Sequence, residues 1–151
     1  MEFPGKQSRA IFWITTFVLS LVLIWFGEAA MGFTKKDLRR INDEGPVEIS
    51  VVYLNPLQKK AGAQLSFEVR MNTHSVGLDA YEMEKICFLQ IDGGPEQKPL
   101  GWFNQGGGGH HVSGILKFAG SIPSDAKSLQ VIIREVGRIP ERVFEWKLPL
   151  E

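Results

Sequence analysis

The sequence contains a single cysteine, Cys87, and has no excess of charge of either sign. One cysteine excludes an internal disulfide framework and a zinc ribbon, both of which need more. Lys and Arg together number 17, as do Asp and Glu, so the chain lacks the basic surplus of a nucleic-acid-binding protein. Its 151 residues leave room for one domain of ordinary size and a short extension. We therefore expect neither nucleic-acid binding nor a multidomain enzyme.

A long uncharged run follows a short polar head at residues 1–9. The run extends from Ala10 to Phe26, and Glu28 is the one charged residue between positions 10 and 33. At about 1.5 Å per residue the uncharged part reaches roughly 26 Å, close to the thickness of the hydrocarbon core of a bilayer. We predict a transmembrane helix at residues 10–33 that contacts the lipid bilayer. A cleaved signal peptide is the alternative, although its apolar core is usually shorter.

The orientation of this segment depends on the charges at its two ends. Lys6 and Arg9 favour a cytoplasmic N-terminus, whereas four basic residues just beyond the other end favour the opposite orientation. The early position of the segment favours an uncleaved signal anchor. We therefore expect residues 1–9 in the cytoplasm and the C-terminal domain in the periplasm or outside the cell. We interpret the charged stretch at residues 34–46 as a juxtamembrane linker, either a short helix along the headgroups or a solvated chain.

The rest of the chain shows apolar residues with a period of two. Leu65, Phe67, Val69 and Met71 alternate with polar residues, which predicts a strand with one buried face. Comparable runs, separated by turn residues, occur at 47–54, 86–91, 112–118, 129–136 and 143–148, with a shorter one at 101–104. Six or seven short strands predict an all-β fold for residues 47–151. We expect an immunoglobulin-like antiparallel β-sandwich without the usual cysteine pair.

His74, His110 and His111 are the residues from which a metal site could be built. His74 follows the strongest strand, and the other two lie between four glycines and the next strand. Because the loops of a sandwich cluster at its two poles, the three imidazoles can meet at one pole and bind copper or zinc. The alternative is structural, with His74 bonded to a loop carbonyl and the histidine pair holding a flexible loop at 106–109. Cys87 lies in mid-strand, which does not fit a blue-copper site.

Trp102 and Phe103 lie beside the glycine run. Aromatic side chains in a loop are suited to anchor an interface, so this pair is a candidate partner-binding site. Burial of Trp102 in the core of the sandwich is the alternative, because a large indole contributes strongly to core packing.

Three segments carry a resemblance to a known group of proteins: NTHSVGL at 72–78, LGWFNQGGGGHHVSGILKF at 100–118 and VIIREVGRIPERVFEWKL at 131–148. They resemble uncharacterised prokaryotic envelope proteins that have an N-terminal export or anchor segment and one immunoglobulin-like domain. The resemblance implies an extracytoplasmic domain and supplies no activity.

These observations favour a non-catalytic, single-span membrane protein. Its sandwich is expected to act as an accessory subunit or partner-binding module of a membrane or envelope complex. A domain that binds or delivers copper or zinc through histidines is the alternative. An enzyme is disfavoured because the sequence contains no GxSxG, P-loop or HExxH motif.

Overall fold

The computed structural model describes residues 32–58, 62 and 64–151. No helix within these residues is long and apolar enough to cross a membrane. The predicted polar head and the predicted span up to position 31 lie outside the described residues. Gly32 and Phe33, the last two residues of that span, have no regular secondary structure.

The described part of the chain contains eight strands, one 3₁₀ turn and one short helix. The strands are β1 (Arg39–Asn42), β2 (Val47–Tyr53), β3 (Gln64–Thr73), β4 (Cys87–Ile91), β5 (Gly101–Gly108), β6 (His111–Ala119), β7 (Ser128–Val136) and β8 (Ile139–Lys147). The 3₁₀ turn is Asn55–Leu57, and helix α1 is Met83–Ile86.

The strands form two antiparallel sheets. One sheet has the strand order β1-β2-β3-β6-β5, and the other has the order β4-β7-β8. Apolar side chains from the inner faces of both sheets form one common core. The predicted antiparallel β-sandwich is thereby confirmed.

Strands β3 and β8 show how the period of two produces this core. In β3, Phe67 and Val69 have no exposed surface, whereas Arg70, which follows Val69, is exposed. In β8, which belongs to the other sheet, Phe144 and Trp146 are buried. The rings of Phe67 and Trp146 lie 5.5 Å apart between their centroids, so the two alternating patterns meet at the centre of the sandwich.

The charged stretch after Gly32 differs from its prediction as a linker. Arg39–Asn42 pair with β2, and Leu38 is buried. The indole Nε1 of Trp146 donates a 2.9 Å hydrogen bond to the carbonyl oxygen of Leu38. The guanidinium of Arg40 lies 5.5 Å from the ring centroid of Trp146. Residues 39–42 therefore form an edge strand of the sandwich, because their backbone and the Leu38 side chain find partners there.

The glycine-rich segment also differs from the predicted flexible loop. Gly106 and Gly108 belong to β5, where they pair with residues of β6. Only Gly109 and His110 form the turn between these two strands. Gly109 has a φ of +61°, and a positive φ is required at the first position of a type II′ hairpin turn. Most of the run is therefore an edge strand that ends in a tight turn.

The strand directions place the loops at two opposite poles. We define the distal pole by the turns at 43–46, 109–110 and 137–138 and by the segment 74–82. We define the basal pole by residues 32–38, 92–94, 121–127 and 148–151. Strand β3 has 10 residues and runs from the basal to the distal pole. At about 3.3 Å per residue, the two poles are separated by roughly 33 Å.

Candidate functional site

Thr73, the last residue of β3, joins three loops at the distal pole. Its Oγ1 donates a 2.7 Å hydrogen bond to the carbonyl oxygen of Pro46 in the β1–β2 turn. The same Oγ1 accepts from the backbone amides of Ser75 and Val76 at 3.2 and 3.3 Å. The Thr73 amide donates to the carbonyl oxygen of His110 at 3.0 Å. One buried side chain and its backbone thus fix the relative positions of these loops.

Asp79 holds the turn between β5 and β6. Its two carboxylate oxygens accept hydrogen bonds from the Gly109 amide at 2.9 and 3.0 Å. The amide of Leu78 donates to the Gly109 carbonyl oxygen at 2.8 Å, and Leu78 is buried. The segment that follows β3 therefore forms hydrogen bonds with both the amide and the carbonyl group of Gly109.

The three histidines are exposed at the distal pole, and their rings have different neighbours. Nδ1 of His110 lies 3.1 Å from the carbonyl oxygen of Val76. Nδ1 of His111 lies 3.0 Å from Oδ1 of Asn72, its partner across β3 and β6. His74 follows directly after Thr73 in the chain. The structure thus brings the three backbones to one pole and gives His110 and His111 the bonds expected of structural residues.

The predicted site for copper or zinc stays a prediction. In the part of the chain that the structure describes, no three His, Cys, Asp or Glu side chains are placed to hold a metal ion. A shared ion needs each imidazole nitrogen at about 2 Å. His110 lies in the turn, whereas His111 is the first residue of β6 and its Nδ1 contacts Asn72.

Trp102 and Phe103 lie on opposite faces of β5 and do not form a common aromatic tip. Trp102 packs against the core, and a Cβ atom at Gly114 of β6 would overlap its indole. Phe103 is 40% exposed, with Nζ of Lys117 4.9 Å from the centroid of its ring. Trp102 is therefore part of the core packing, which was the alternative to partner binding. Partner binding by Phe103 stays a prediction.

A cavity of about 680 Å³ opens at the distal pole between the segment after β3 and the β7–β8 turn. It is lined by Pro46, Ser75, Val76, Gly77, Tyr81, Gly137, Arg138 and Ile139. This volume lies in the range of about 300–1,000 Å³ that is typical of ligand pockets. The hydroxyl of Tyr81 accepts a 3.0 Å hydrogen bond from the Gly137 amide. That bond joins the two sides of the cavity, which we call the distal cavity.

The β7–β8 turn consists of Gly137 and Arg138, with φ angles of +62° and +66°. Two consecutive positive φ angles characterise the type I′ hairpin turn. A Cβ atom at Gly137 would lie 2.9 Å from Cγ2 of Val47 and 3.2 Å from Cγ of Pro46. Glycine is therefore required at the first position, where the turn packs tightly against the start of β2.

Arg138 carries the charge of the distal cavity. It is exposed, and it is the one charged side chain among the eight lining residues. The described residues form five ion pairs, and Arg138 takes part in none of them. Arg134, in contrast, contacts both Glu96 and Glu141. The distal cavity thus combines apolar walls with an available cation.

Cys87 does not add nucleophilic chemistry to this pole. It has no exposed surface, and burial raises the pKa of its thiol well above the ordinary value. The thiolate is the reactive form of cysteine, so a buried thiol with a raised pKa is inert. Cys87 is a small residue of the core.

The residues that organise the distal cavity were not identified from sequence. Thr73, Tyr81 and Arg138 belong to no chemical motif, and their roles depend on which loops meet. One signal was available, because a glycine that opens a two-residue connection between two apolar runs predicts a hairpin turn with positive φ at that glycine.

The chain matches no protein-family model, and no curated protein or solved structure matches it. The resemblance to prokaryotic envelope proteins therefore stays a prediction.

Proposed function

We propose that the protein is a non-catalytic, single-span membrane protein whose extracytoplasmic β-sandwich binds a partner through its distal pole. The partner belongs to a membrane or envelope complex in which this chain is an accessory subunit. Residues 1–9 are cytoplasmic in this proposal, and the span lies within residues 10–33. The apolar run of the sequence supports the span, and the geometry of the loops supports the binding surface.

The strand order supports an immunoglobulin-like assignment of the sandwich. With β2 to β8 relabelled A to G, the two sheets have the orders A-B-E-D and C-F-G. Constant-type immunoglobulin domains have these two orders, and β1 adds one edge strand to the first sheet. In this labelling the B–C and F–G connections lie at the distal pole. The corresponding loops of antibody variable domains bind antigen.

The single observation that carries the proposal is the opposite placement of Gly32 and the distal cavity. The chain reaches the sandwich at the basal pole, where the Tyr53 amide donates to the Leu38 carbonyl oxygen at 3.2 Å. Any segment that precedes Gly32 is therefore attached to the basal pole. The distal loops lie at the opposite pole of the sandwich, roughly 33 Å from that point along the strands.

Site-specific photo-crosslinking in membranes of the native host tests partner binding. A photoreactive amino acid replaces Ser75 at the distal pole or, as the matched control, the exposed Ser121 at the basal pole. We expect a discrete crosslinked species from position 75 and none from position 121. Free chain alone at both positions would rule out the proposal.

Extraction of the same membranes with alkaline carbonate tests the anchor. We expect the full chain to stay with the membranes and a version that begins at Gly32 to be released. Protease added outside the cytoplasmic membrane is expected to digest the sandwich, which places it on that side. Release of the full chain by carbonate would contradict the single span.

A further inference from the structure

We propose that the distal cavity takes an apolar side chain from an extended segment of a partner protein, while Arg138 binds a carboxylate on a neighbouring residue of that segment. The inference rests on the proposed function and names the chemistry of the partner. It draws on three independent features of the site: the apolar walls, the available cation and the backbone conformation of Arg138.

The walls of the cavity favour an apolar group. Pro46, Val76, Tyr81 and Ile139 supply aliphatic and aromatic surface, and Val76 and Tyr81 pack against the core behind them. The bond from the Gly137 amide to the Tyr81 hydroxyl satisfies the polar end of that ring. Removing an apolar side chain from water against such walls is favourable, and the cavity is large enough for Leu, Ile or Phe.

The charge at the rim favours an acidic neighbour. Arg138 makes no ion pair within the described residues, whereas Arg70 pairs with Glu68 and the half-buried Arg134 pairs with Glu96 and Glu141. A planar guanidinium matches a carboxylate through two parallel hydrogen bonds. An Asp or Glu next to the apolar anchor of the partner therefore complements this rim.

The backbone of Arg138 gives a separate indication that its side chain is used. With a φ of +66°, it holds the second position of a turn that favours glycine. The residue before it, Gly137, packs against Pro46 and Val47, and a Cβ atom at Gly45 would lie only 3.0 Å from Cδ1 of Ile139. Glycine would adopt this conformation with less strain, so an arginine here favours a use for the charged side chain.

Selection from a random peptide library displayed on phage tests the inference, with the full chain immobilised in nanodiscs. We expect enrichment of peptides in which Leu, Ile, Val or Phe stands next to Asp or Glu. A synthetic peptide with the enriched motif is expected to lose affinity at least tenfold against Arg138→Ala. Arg138→Glu is expected to select Lys or Arg in place of the acidic residue. No enrichment, or enriched peptides that lack an acidic residue, would overturn the inference.

Two further variants separate binding from folding. Arg138→Gly relieves the positive φ, so we expect a higher melting temperature together with the same loss of peptide affinity. A purely structural arginine would not give that combination. Gly77→Leu adds an apolar side chain to the cavity lining at a position where nothing lies within 4 Å of a Cβ atom. We expect a folded protein with peptide affinity lowered at least tenfold.

Arg39→Ala is the matched control, because Arg39 is exposed at the basal pole. It is expected to leave peptide affinity unchanged. If Gly77→Leu binds the peptide as the unaltered chain does, the cavity is not the site. The Ser75 crosslink distinguishes the two levels of the proposal. A crosslink that persists in Arg138→Ala and Gly77→Leu overturns the inference and leaves partner binding standing, whereas loss of the crosslink in both supports the inference.

Discussion

Nε of Arg142 donates a 2.9 Å hydrogen bond to Oδ1 of Asn42 and so joins β8 in one sheet to β1 in the other. The same guanidinium donates to the carbonyl oxygens of Val136 and Glu44, each at 2.6 Å. Arg142 is only 1% exposed, and burial lowers the pKa of its guanidinium. One buried cation therefore supplies donors to one side-chain and two backbone oxygens, in β1, in the β1–β2 turn and in β7.

Replacement of this side chain is expected to be costly. Arg142→Met should lower the free energy of unfolding by about 3–5 kcal/mol, because it leaves several buried acceptors without donors. Urea unfolding of the full chain in detergent micelles measures the change. Arg39→Met, at an exposed position, should shift the same free energy by no more than about 0.5 kcal/mol. Equal effects of the two substitutions would contradict this account of Arg142.

The contact between Gly114 and Trp102 predicts a specific steric coupling. Gly114→Ala should lower the free energy of unfolding by about 1–3 kcal/mol, because the new methyl group overlaps the indole. In a Trp102→Ala background the same change should cost much less, with a coupling energy of about 1 kcal/mol or more. A double-mutant cycle with urea unfolding measures this energy. Strictly additive effects would show that the two residues do not clash.

Asp92 predicts a pH dependence of stability. Hydrogen bonds from the backbone amides of Lys127 and Ser128, both 2.7 Å long, lower the pKa of its carboxyl group. The folded-state pKa therefore lies below the value of about 3.9 in the unfolded chain. Its contribution to stability is present above that pH and is lost as the pH falls through the folded-state pKa.

Asp92→Asn should accordingly flatten the fall in melting temperature below about pH 4. Thermal unfolding at a series of pH values measures this dependence. Asp125→Asn is the matched control, an exposed carboxylate in the adjacent loop, and should leave the steep part of the profile in place. Parallel profiles for the unaltered chain and Asp92→Asn would refute the role of this carboxylate.

Asp79 predicts a local effect on the turn between β5 and β6. Asp79→Ala removes both acceptors of the Gly109 amide, so hydrogen exchange at that amide should accelerate about fivefold, which corresponds to about 1 kcal/mol. Amide exchange followed by NMR resolves this single site. Asp43→Ala, an exposed acidic residue elsewhere at the distal pole, should leave the Gly109 rate unchanged. An unaltered rate in Asp79→Ala would show that the carboxylate does not hold the turn.

The strands with strict alternation could be predicted from sequence, whereas β1 could not. In β3 the pleat buries every second residue, so the pattern of apolar residues reports the burial directly. In β1 no apolar alternation is visible, because Arg39 and Arg40 are charged. Arg40 nevertheless covers the face of Trp146 with its side chain. The second half of β5 could not be predicted for another reason. Gly106 and Gly108 have no side chains and therefore give no periodic signal.

The candidate site was predictable only in part for a related reason. Residue type draws attention to the histidines, and their backbones do meet, as the bond from Thr73 to His110 demonstrates. The rings of His110 and His111 contact residues more than 30 positions away, Val76 for His110 and Asn72 for His111. Arg138 gains its importance from a turn conformation and from the absence of an ion pair within the described residues, which a composition count does not reveal.

The attachment of the chain at the basal pole has a mechanical consequence. A pull applied between Gly32 and a molecule held at the distal pole acts along the strands, at right angles to the hydrogen bonds between them. The four residue pairs from Arg39–Val52 to Asn42–Ile49 are then loaded together in shear rather than opened one after another. The Trp146–Leu38 bond carries load in parallel with them. The sandwich is thus arranged to transmit tension from one pole to the other without unravelling from its first strand.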